Sequence, residues 1–346
     1  MFRIREATPA DNDALLRLEA ESPQGTGISI IIDRDDYFYR SRLHDQSKIM
    51  IAEENEKLVG VMAFAIKDVL LNRAVERVAY FYDMRGEASY RRSMKRGLFR
   101  LLRAVLAEIE EAGAQFLYGH VKADNYASLS VSTKMGAQVV TSFDILSLPN
   151  LRGKPVELDP HLECLEEEVG RIEELVGERS MRPPHLLDAY SRGAELGYLK
   201  GIFRLTEGDS FAQVSAWDLS SIYRGRVLHM PLGLRGLGAL LNPLTRLVPV
   251  PRVPVVGERI AYLQLFDPIC QGPRGKSILK KLLQQIRRTA YQEGLDILTL
   301  FAYRDDPLSS LPRFFPEKVL HYHTMVYPIS SERLPTPPLY LDIRDI

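Results

Sequence analysis

The sequence predicts an α/β (α+β) protein of two similar domains in tandem. The first observation is length, because a chain of 346 residues is too long for one hydrophobic core. The second is a strand, turn and helix pattern over residues 75–113. The third is that the order of predicted elements in the first half recurs in the second half.

Composition limits the classes of function. The 45 Lys and Arg residues balance 45 Asp and Glu residues, so net charge gives no reason to expect a nucleic-acid or membrane partner. Cys164 and Cys270 have neither a disulfide framework nor metal-ligand spacing. We therefore expect a cytoplasmic protein without a metal, in which both cysteines are chemically inert. The N-terminus has no apolar segment typical of signal peptides.

The first half divides into alternating strand and helix patterns. Thr8 and Pro9 are typical of the start of a helix, and an apolar pattern continues it to Glu21. Asp33 or Asp35 could begin a second helix that runs to about residue 44. A short helix is predicted after Asp124 and ends near residues 135–137. Strands are predicted over residues 2–7, 48–52, 58–66, 78–84, 116–121 and 139–148.

Residues 75–113 hold the strongest local pattern. An apolar run over residues 78–84 predicts a buried strand, and a basic turn over residues 90–97 follows it. A long helix is then predicted by apolar residues at i, i+3, i+4, i+7 and i+11, namely Leu98, Leu101, Leu102, Val105 and Ile109. A helix start presents unpaired N–H groups and a positive end. The turn is therefore a predicted phosphate site.

The second half repeats short segments of the first in the same order. Phe81-Tyr82-Asp83-Met84 is echoed by Leu265-Phe266-Asp267-Pro268, and Asp124-Asn125 is echoed by Asp305-Asp306. We place the boundary near residues 149–154, which gives domains over residues 1–148 and 151–346. An apolar insertion at about residues 225–257 is a lid, core filler, or a patch that covers its own domain or a partner; a homodimer stays open. The tail after Pro335 is expected to be extended and docked.

The order of elements, with Asp124-Asn125-Tyr126-Ala127-Ser128 and Lys134-Met135-Gly136-Ala137 after the long helix, resembles the GNAT superfamily of acyl-CoA N-acyltransferases. The resemblance covers residues 1–148 well and the second half more weakly, in the manner of uncharacterised bacterial tandem GNAT proteins. It implies that each domain is a mixed, mostly antiparallel sheet flanked by helices. It also implies acetyl-CoA as co-substrate, bound in the first domain. It also implies a set of coenzyme contacts: Tyr82 and Met84 on the strand, Arg92, Ser93, Met94, Lys95, Arg96 and Gly97 in the turn, and Asn125 and Ser128 at the later helix.

Two positions depart from the family pattern. Lys95 stands where the family has a glycine, whose backbone can approach phosphate closely. Ser132 stands where the family commonly has the tyrosine that protonates the departing thiolate. Tyr126 is an alternative acid, and its other interpretation is a packing residue. The second-half turn, Gly272 to Ser277, is equally typical of a plain loop and of a second coenzyme site.

The base that removes the amine proton is predicted from strand ends. Asp83 is the first choice because a substrate amine would arrive there, although it could instead cap or turn the chain. Glu76 and His120 are the runners-up. Tyr80 and Tyr82 share one face of their strand and either line the acceptor site or belong to an aromatic core.

Three functions are therefore open. The first is an acyl-CoA-dependent N-acyltransferase that moves acetyl from acetyl-CoA to a primary amine of a small molecule or peptide, by direct attack in a ternary complex. The second is a GNAT-fold protein that binds or senses a ligand without catalysis, which Lys95 and Ser132 favour. The third is a tandem-domain transferase of the aminoacyl type. The sequence does not identify the acceptor.

Overall fold

The computed structural model describes residues 1–23, 25, 28–71, 73–87, 95–154, 158–248, 250–303, 318–330 and 334–345. The first half holds seven strands and three α-helices in this part of the chain. The strands are β1 (Phe2–Glu6), β2 (Ser29–Asp33), β3 (Gln46–Glu54), β4 (Lys57–Leu71), β5 (Ala74–Gly86), β6 (Phe116–Lys122) and β7 (Gln138–Pro149). The helices are α1 (Asn12–Ala20), α2 (Lys95–Glu111) and α3 (Tyr126–Lys134).

The second half follows a similar order. Its strands are β8 (Leu199–Glu207), β9 (Ser210–Asp218), β10 (Arg224–His229), β11 (Arg259–Ile260), β12 (Tyr262–Gln271), β13 (Ile297–Tyr303) and β14 (Lys318–Pro328). Its helices are α4 (Leu165–Val176), α5 (Leu186–Glu195), α6 (Leu232–Leu241) and α7 (Gly275–Gln292). None of the described helices is both long and apolar enough to cross a lipid bilayer.

Eleven strands form one sheet that runs through both halves. Its order is β1-β3-β4-β5-β6-β14-β7-β13-β12-β9-β8. Neighbours are antiparallel except for two pairs, β5 with β6 and β12 with β13. The predicted mixed, mostly antiparallel sheet flanked by helices is thus confirmed. The two predicted sheets join edge to edge into one.

The two halves exchange their last strands at the centre of this sheet. β14, from the end of the second half, lies between β6 and β7 and pairs with both. β7, from the end of the first half, lies between β14 and β13. Each half therefore supplies a strand that lies between two strands of the other half. The division into domains over residues 1–148 and 151–346 stays a prediction.

The helices cover the two faces of the sheet. On one face, α2 buries Leu101, Val105 and Ile109, as its periodicity predicts, and α7 packs in the same way in the second half. On the other face, one continuous core runs through both halves. It includes side chains of α1, α4 and α5, and Leu339 and Tyr340 of the docked C-terminal tail.

One predicted helix is wrong. The sequence predicts a helix over residues 33–44, but β2 ends at Asp33 and only a short 3-10 helix, Arg40–Leu43, follows. The β-branched run Ile30–Ile32 pairs with β10, which itself pairs with β11 in a separate three-stranded sheet. The partner strand belongs to the insertion about 190 residues later in the chain, and local sequence carries no signal of that pairing.

Candidate active site

β5 carries a bulge at Asp83, which is where the sequence predicts the site. Tyr82 pairs with Ala63 of β4 and Arg85 pairs with Val61, so two residues of β5 oppose a single residue of β4. Asp83 has a φ of 51°, in the left-handed region that Asp tolerates better than most residues. A bulge leaves an extra residue outside the ladder and redirects its backbone groups.

β5 and β6 stay together only briefly. In the described residues their parallel pairing is limited to Ala79 with Leu117 and Tyr80 with Tyr118. Gly119 still lies close to β5, because a Cβ there would be 3.0 Å from the carbonyl oxygen of Phe81. β6 pairs along its other edge with β14 over its whole length. Among the described residues, the backbone of β5 at the bulge therefore has an edge without a strand partner.

The start of α2 lies after this open edge. Lys95 and Arg96 are its first two residues, and Gly97 is half-buried in its first turn. Arg92, Ser93 and Met94 lie outside the described residues. The helix N-terminus thus follows the bulged strand as the sequence predicts, and its amide groups make it suited to an anion.

One face of β5 and β6 carries a cluster of aromatic rings. The ring centroids of Tyr80 and Tyr82 are 5.6 Å apart, those of Tyr80 and Tyr118 are 5.3 Å apart, and those of Tyr80 and His120 are 5.7 Å apart. His44 stacks on Tyr82 at 5.9 Å. Tyr80, Tyr82 and His120, which the sequence proposed separately, are therefore neighbours.

Both histidines of this cluster are neutral. Burial, with the charge of Lys67 and other cations, lowers the pKa of His120 to about 3 and holds the pKa of His44 well below its usual range. His120 Nδ1 lies 3.2 Å from Thr324 Oγ1. His120 Nε2 and both ring nitrogens of His44 are buried without a hydrogen-bond partner among the described residues. One ring nitrogen of His120 is therefore unpaired inside the described part of the protein.

The C-terminal tail closes this face with buried charges that sequence reasoning missed. Lys67 Nζ of β4 donates to Asp345 Oδ1 at 2.6 Å and to Asp342 Oδ2 at 3.0 Å. Tyr118 donates to Asp345 Oδ2 at 2.5 Å, and Tyr80 donates to the Asp345 carbonyl oxygen. Burial raises the pKa of Asp345 despite the nearby lysine. An apolar strand interrupted by a lone lysine was the available signal, because a buried Lys needs acidic partners.

Asp83 is surrounded by arginines. Its carboxylate lies 3.0 Å from Arg34, 3.4 Å from Arg40 and 3.8 Å from Arg85. Burial alone would raise the pKa of Asp83, but these three charges outweigh it and hold the pKa well below its usual range. With its oxygens engaged by three arginines, this carboxylate is poorly placed to receive an amine proton. The position of Asp83 fits a structural anchor at the bulge better than the base predicted from its place at the strand end.

The residues predicted on the downstream helix lie apart from the aromatic cluster. Asn125 caps α3, accepting a hydrogen bond from the Ser128 N–H at 3.2 Å. Tyr126 is 77% exposed and Ser132 is half-buried, and α3 buries none of its side chains. Glu76 is half-buried near the opposite end of β5 from the bulge.

The second half repeats the bulge with a different environment. Asp267 of β12 has a φ of 49°, and the pairing with β9 shifts there between Phe266 and Ile269. Its carboxylate accepts hydrogen bonds from Tyr190 at 2.5 Å and Tyr340 at 2.9 Å. Burial raises the pKa of Asp267 to about 6, against the lowering effect of these two hydroxyls.

Neighbouring residues of the same half pack closely against the turn before α7. A Cβ on Gly272 would lie 2.4 Å from Ser210 Oγ, and one on Gly275 would lie 3.0 Å from the Cβ of Cys270. Arg274 and Lys281 both pair with Glu207 at 2.6 Å. The glycines of this turn therefore serve close packing, and cations of this helix start are already neutralised. Neither Cys164 nor Cys270 forms a disulfide, and the described residues contain no cluster able to hold a metal.

A comparison with known families gives a match in the first half of the chain. The sequence model of the family described as "Acetyltransferase (GNAT) domain" matches residues 3–137, so the resemblance to GNAT proteins is confirmed over those residues. A comparison with curated protein sequences gives no match.

Solved structures extend the likeness to both halves. Saccharomyces cerevisiae N-myristoyltransferase with bound myristoyl-CoA is 9% identical with a TM-score of 0.61, over 94% of this chain and 82% of that chain. A second structure of that enzyme with bound myristoyl-CoA is 9% identical with a TM-score of 0.60, over 94% of this chain and 79% of that chain. A GCN5-related N-acetyltransferase from Kribbella flavida is 12% identical with a TM-score of 0.46, over 95% of this chain and 71% of that chain. The chain therefore has the fold of the N-myristoyltransferase structures.

Proposed function

We propose that this protein is an acyl-CoA-dependent N-acyltransferase that transfers acetyl from acetyl-CoA to a primary amine, by direct attack in a ternary complex. The observation that carries the proposal is the open edge of β5 at the Asp83 bulge, followed by the N-terminus of α2. An open strand edge can hydrogen-bond an extended pantetheine arm, and a helix start can hold a pyrophosphate. The GNAT match over residues 3–137 and the acyl-CoA held by structures of the same fold support it.

The roles of individual residues follow from their places in the fold. Backbone groups of Tyr82 and Met84 would hold pantetheine, and the bulge would direct an N–H to the thioester carbonyl, where negative charge develops. Gly97, Lys95 and Arg96 begin the helix that would hold the phosphates, together with Arg92, Ser93 and Met94 of the turn. Asn125 and Ser128 keep their proposed role at the start of α3. For the departing thiolate, Tyr126 and Ser132 stay candidate acids.

For the base we propose His120 in place of Asp83. Its Nε2 has no hydrogen-bond partner among the described residues, and the ring lies beside Tyr80 and Tyr118. A neutral imidazole can orient a neutral amine by accepting its hydrogen bond. Because its pKa is lowered, His120 would take the proton only as the C–N bond forms and the attacking nitrogen becomes strongly acidic. Tyr80 and Tyr82 would line the acceptor site.

Coenzyme binding is tested by thermal unfolding with acetyl-CoA and, separately, myristoyl-CoA. A ligand that binds only the folded state, at a hundred times its Kd, should raise stability by about 2.7 kcal/mol. Lys95→Glu should abolish the shift, because it places a negative charge at the proposed phosphate site. Lys276→Glu, in the first turn of α7, is the matched control and should leave the shift unchanged. No shift with either thioester would contradict the proposal.

Catalysis is tested by His120→Gln, which keeps a polar side chain but cannot take a proton. We expect kcat/KM for acetyl transfer to a set of primary amines to fall about 10²–10⁴-fold, with the acetyl-CoA thermal shift preserved. His321→Gln changes an exposed histidine of β14 and should leave kcat/KM unchanged. Acyl-CoA binding without transfer to any amine would instead favour a ligand-binding protein.

A further inference from the structure

The insertion over residues 225–257 exposes most of its apolar side chains. Of the 17 large apolar residues that are exposed in the described part of the chain, nine lie between residues 228 and 256. Leu232, Leu247 and Leu240 are the most exposed of them, at 81%, 80% and 67%. A soluble surface rarely concentrates apolar side chains in this way unless the surface binds something.

These side chains lie on an ordered support. α6 continues into a 3-10 helix, Asn242–Arg246, and the Asn242 side chain both donates to Val253 O and accepts from Val253 N, each at 2.9 Å. Beneath α6, Met230, Val227 and Ile260 form a small core. Leu237, Leu240 and Leu244 recur at spacings of three and four and so share one side of the helical segment. The leucines are therefore presented outward by a packed base.

The charge of the insertion differs from that of the chain. Residues 225–257 contain four arginines and no Asp or Glu, which gives +4; since the chain totals +0, the remaining residues carry −4. Arg226 and Arg252 pair with acidic residues outside this segment, Asp33 and Glu258. Arg235 is exposed and donates to the Met230 carbonyl oxygen, and it forms no ion pair within the described residues.

We propose that residues 228–256 of the insertion bind the surface of an anionic lipid bilayer. Protruding leucines beside arginines match an interface of acyl chains and anionic headgroups. A protein partner is a poorer match, because the segment has no Phe, Tyr or Trp and its methionine is buried, whereas protein interfaces are enriched in these residues. An open cavity of about 790 Å³ between α6 and residues 252–256, with Arg235 and Arg252 in its wall, offers room for a headgroup.

This inference departs from the expectation that no membrane is bound. That expectation rested on net charge, which averages the basic insertion with an acidic remainder. Interfacial binding requires no membrane-crossing helix, because the apolar side enters only the headgroup region. The proposal is independent of the acyltransferase proposal, since it uses none of the residues around β5.

The experiment is sedimentation of the full chain with vesicles of phosphatidylcholine and phosphatidylglycerol in equal parts, and with phosphatidylcholine alone. We expect binding to the anionic vesicles that weakens with added salt. The combined Leu232→Gln, Leu240→Gln and Leu247→Gln variant should bind at least about tenfold more weakly, because it removes the most exposed apolar contacts. Arg235→Gln should weaken binding to anionic vesicles only.

The matched control is the combined Val75→Gln, Leu175→Gln and Leu196→Gln variant, which changes three exposed apolar residues elsewhere and should bind as the unmodified chain does. All the substituted side chains are exposed, so the circular dichroism spectrum should be unchanged. The proposal is overturned if the unmodified chain stays in the supernatant or if the leucine variant binds equally well. A dimer detected by light scattering that the leucine variant abolishes, without vesicle binding, would overturn it too and assign the surface to a second copy.

Discussion

Asp83 and Asp267 occupy the same bulge in the two halves, and their surroundings push their pKa values in opposite directions. Three arginines lower the pKa of Asp83, whereas burial beside two tyrosine hydroxyls raises that of Asp267 to about 6. The backbone explains why both are aspartates, since each has a positive φ. Their charge states are set mainly by residues far away in sequence, since only Arg85 is a close sequence neighbour of its aspartate.

The raised pKa of Asp267 predicts that Asp267→Asn increases the free energy of unfolding, by an amount that depends on pH. The folded state holds the proton more tightly than the unfolded state, so the stabilisation by the native side chain is present below pH 4 and is lost as pH rises through about 6. Asparagine tolerates the positive φ and carries no charge. At pH 7 the variant should be about 1–2 kcal/mol more stable than the unmodified chain, measured by urea unfolding, and the gain should disappear at pH 4.

Asp83→Asn should have the opposite effect and lower the free energy of unfolding. Its lowered pKa means that the native carboxylate stabilises the fold above about pH 4 and loses this effect as pH falls. Removal of the charge leaves Arg34, Arg40 and Arg85 with less compensation, so at pH 7 the variant should lose about 3–5 kcal/mol. Equal urea midpoints for Asp83→Asn and the unmodified chain would contradict the proposed anchor role.

At the scale of elements, α5 packs unusually close to the sheet. A Cβ on Gly193 would lie 1.9 Å from Cζ3 of Trp217, a fully buried ring of β9. Helix propensity alone favours alanine at such a position by about 1 kcal/mol. The close approach to Trp217 therefore explains why position 193 is a glycine and not an alanine.

Gly193→Ala should destabilise the protein by about 1–3 kcal/mol or more, because the ring or the helix must move. Gly170→Ala in α4 is the matched control: no described neighbour lies within 4 Å of the point that its Cβ would occupy, so this variant should gain about 0.5–1 kcal/mol. Urea unfolding of both variants measures the difference. Similar free energies of unfolding for the two would show that the contact is unimportant.

Helices and strands are predictable from the sequence where apolar residues recur at a fixed period. The spacing of Leu101, Val105 and Ile109 predicts α2 correctly, and the β5 strand follows from its apolar run. The sequence after Asp33 is typical of a helix start, because Asp is a favoured N-cap residue. Pairing of β2 with β10 determines its structure instead.

At the scale of the molecule, the C-terminal tail and β4 form one buried ionic network. Lys67, Asp342 and Asp345 are all almost fully buried, although about 275 residues separate the lysine from the aspartates. A buried lysine without a carboxylate is strongly unfavourable. The tail is therefore part of the core of the first half.

Deletion of residues 342–346 should lower the free energy of unfolding by about 3–5 kcal/mol, because it leaves Lys67 buried without its partners. Lys67→Met in the shortened chain removes the charge and should restore much of the loss. Urea unfolding of the two single changes and their combination gives the coupling energy. Additive effects would contradict a direct interaction.

By itself, the sequence determined the repeated order of elements, the α2 periodicity, the apolar strand that leads to Asp83 and the resemblance to GNAT proteins, because each element is predicted from the spacing of residues within it. Tertiary structure alone decided the exchange of β7 and β14, the arginines around Asp83, the neutral His120 beside Tyr80, and the position of the tail. The physical reason is the sequence separation of the interacting residues. Strand pairing and the electrostatics of buried groups depend on which distant segments meet, and the local spacing of residues does not indicate this.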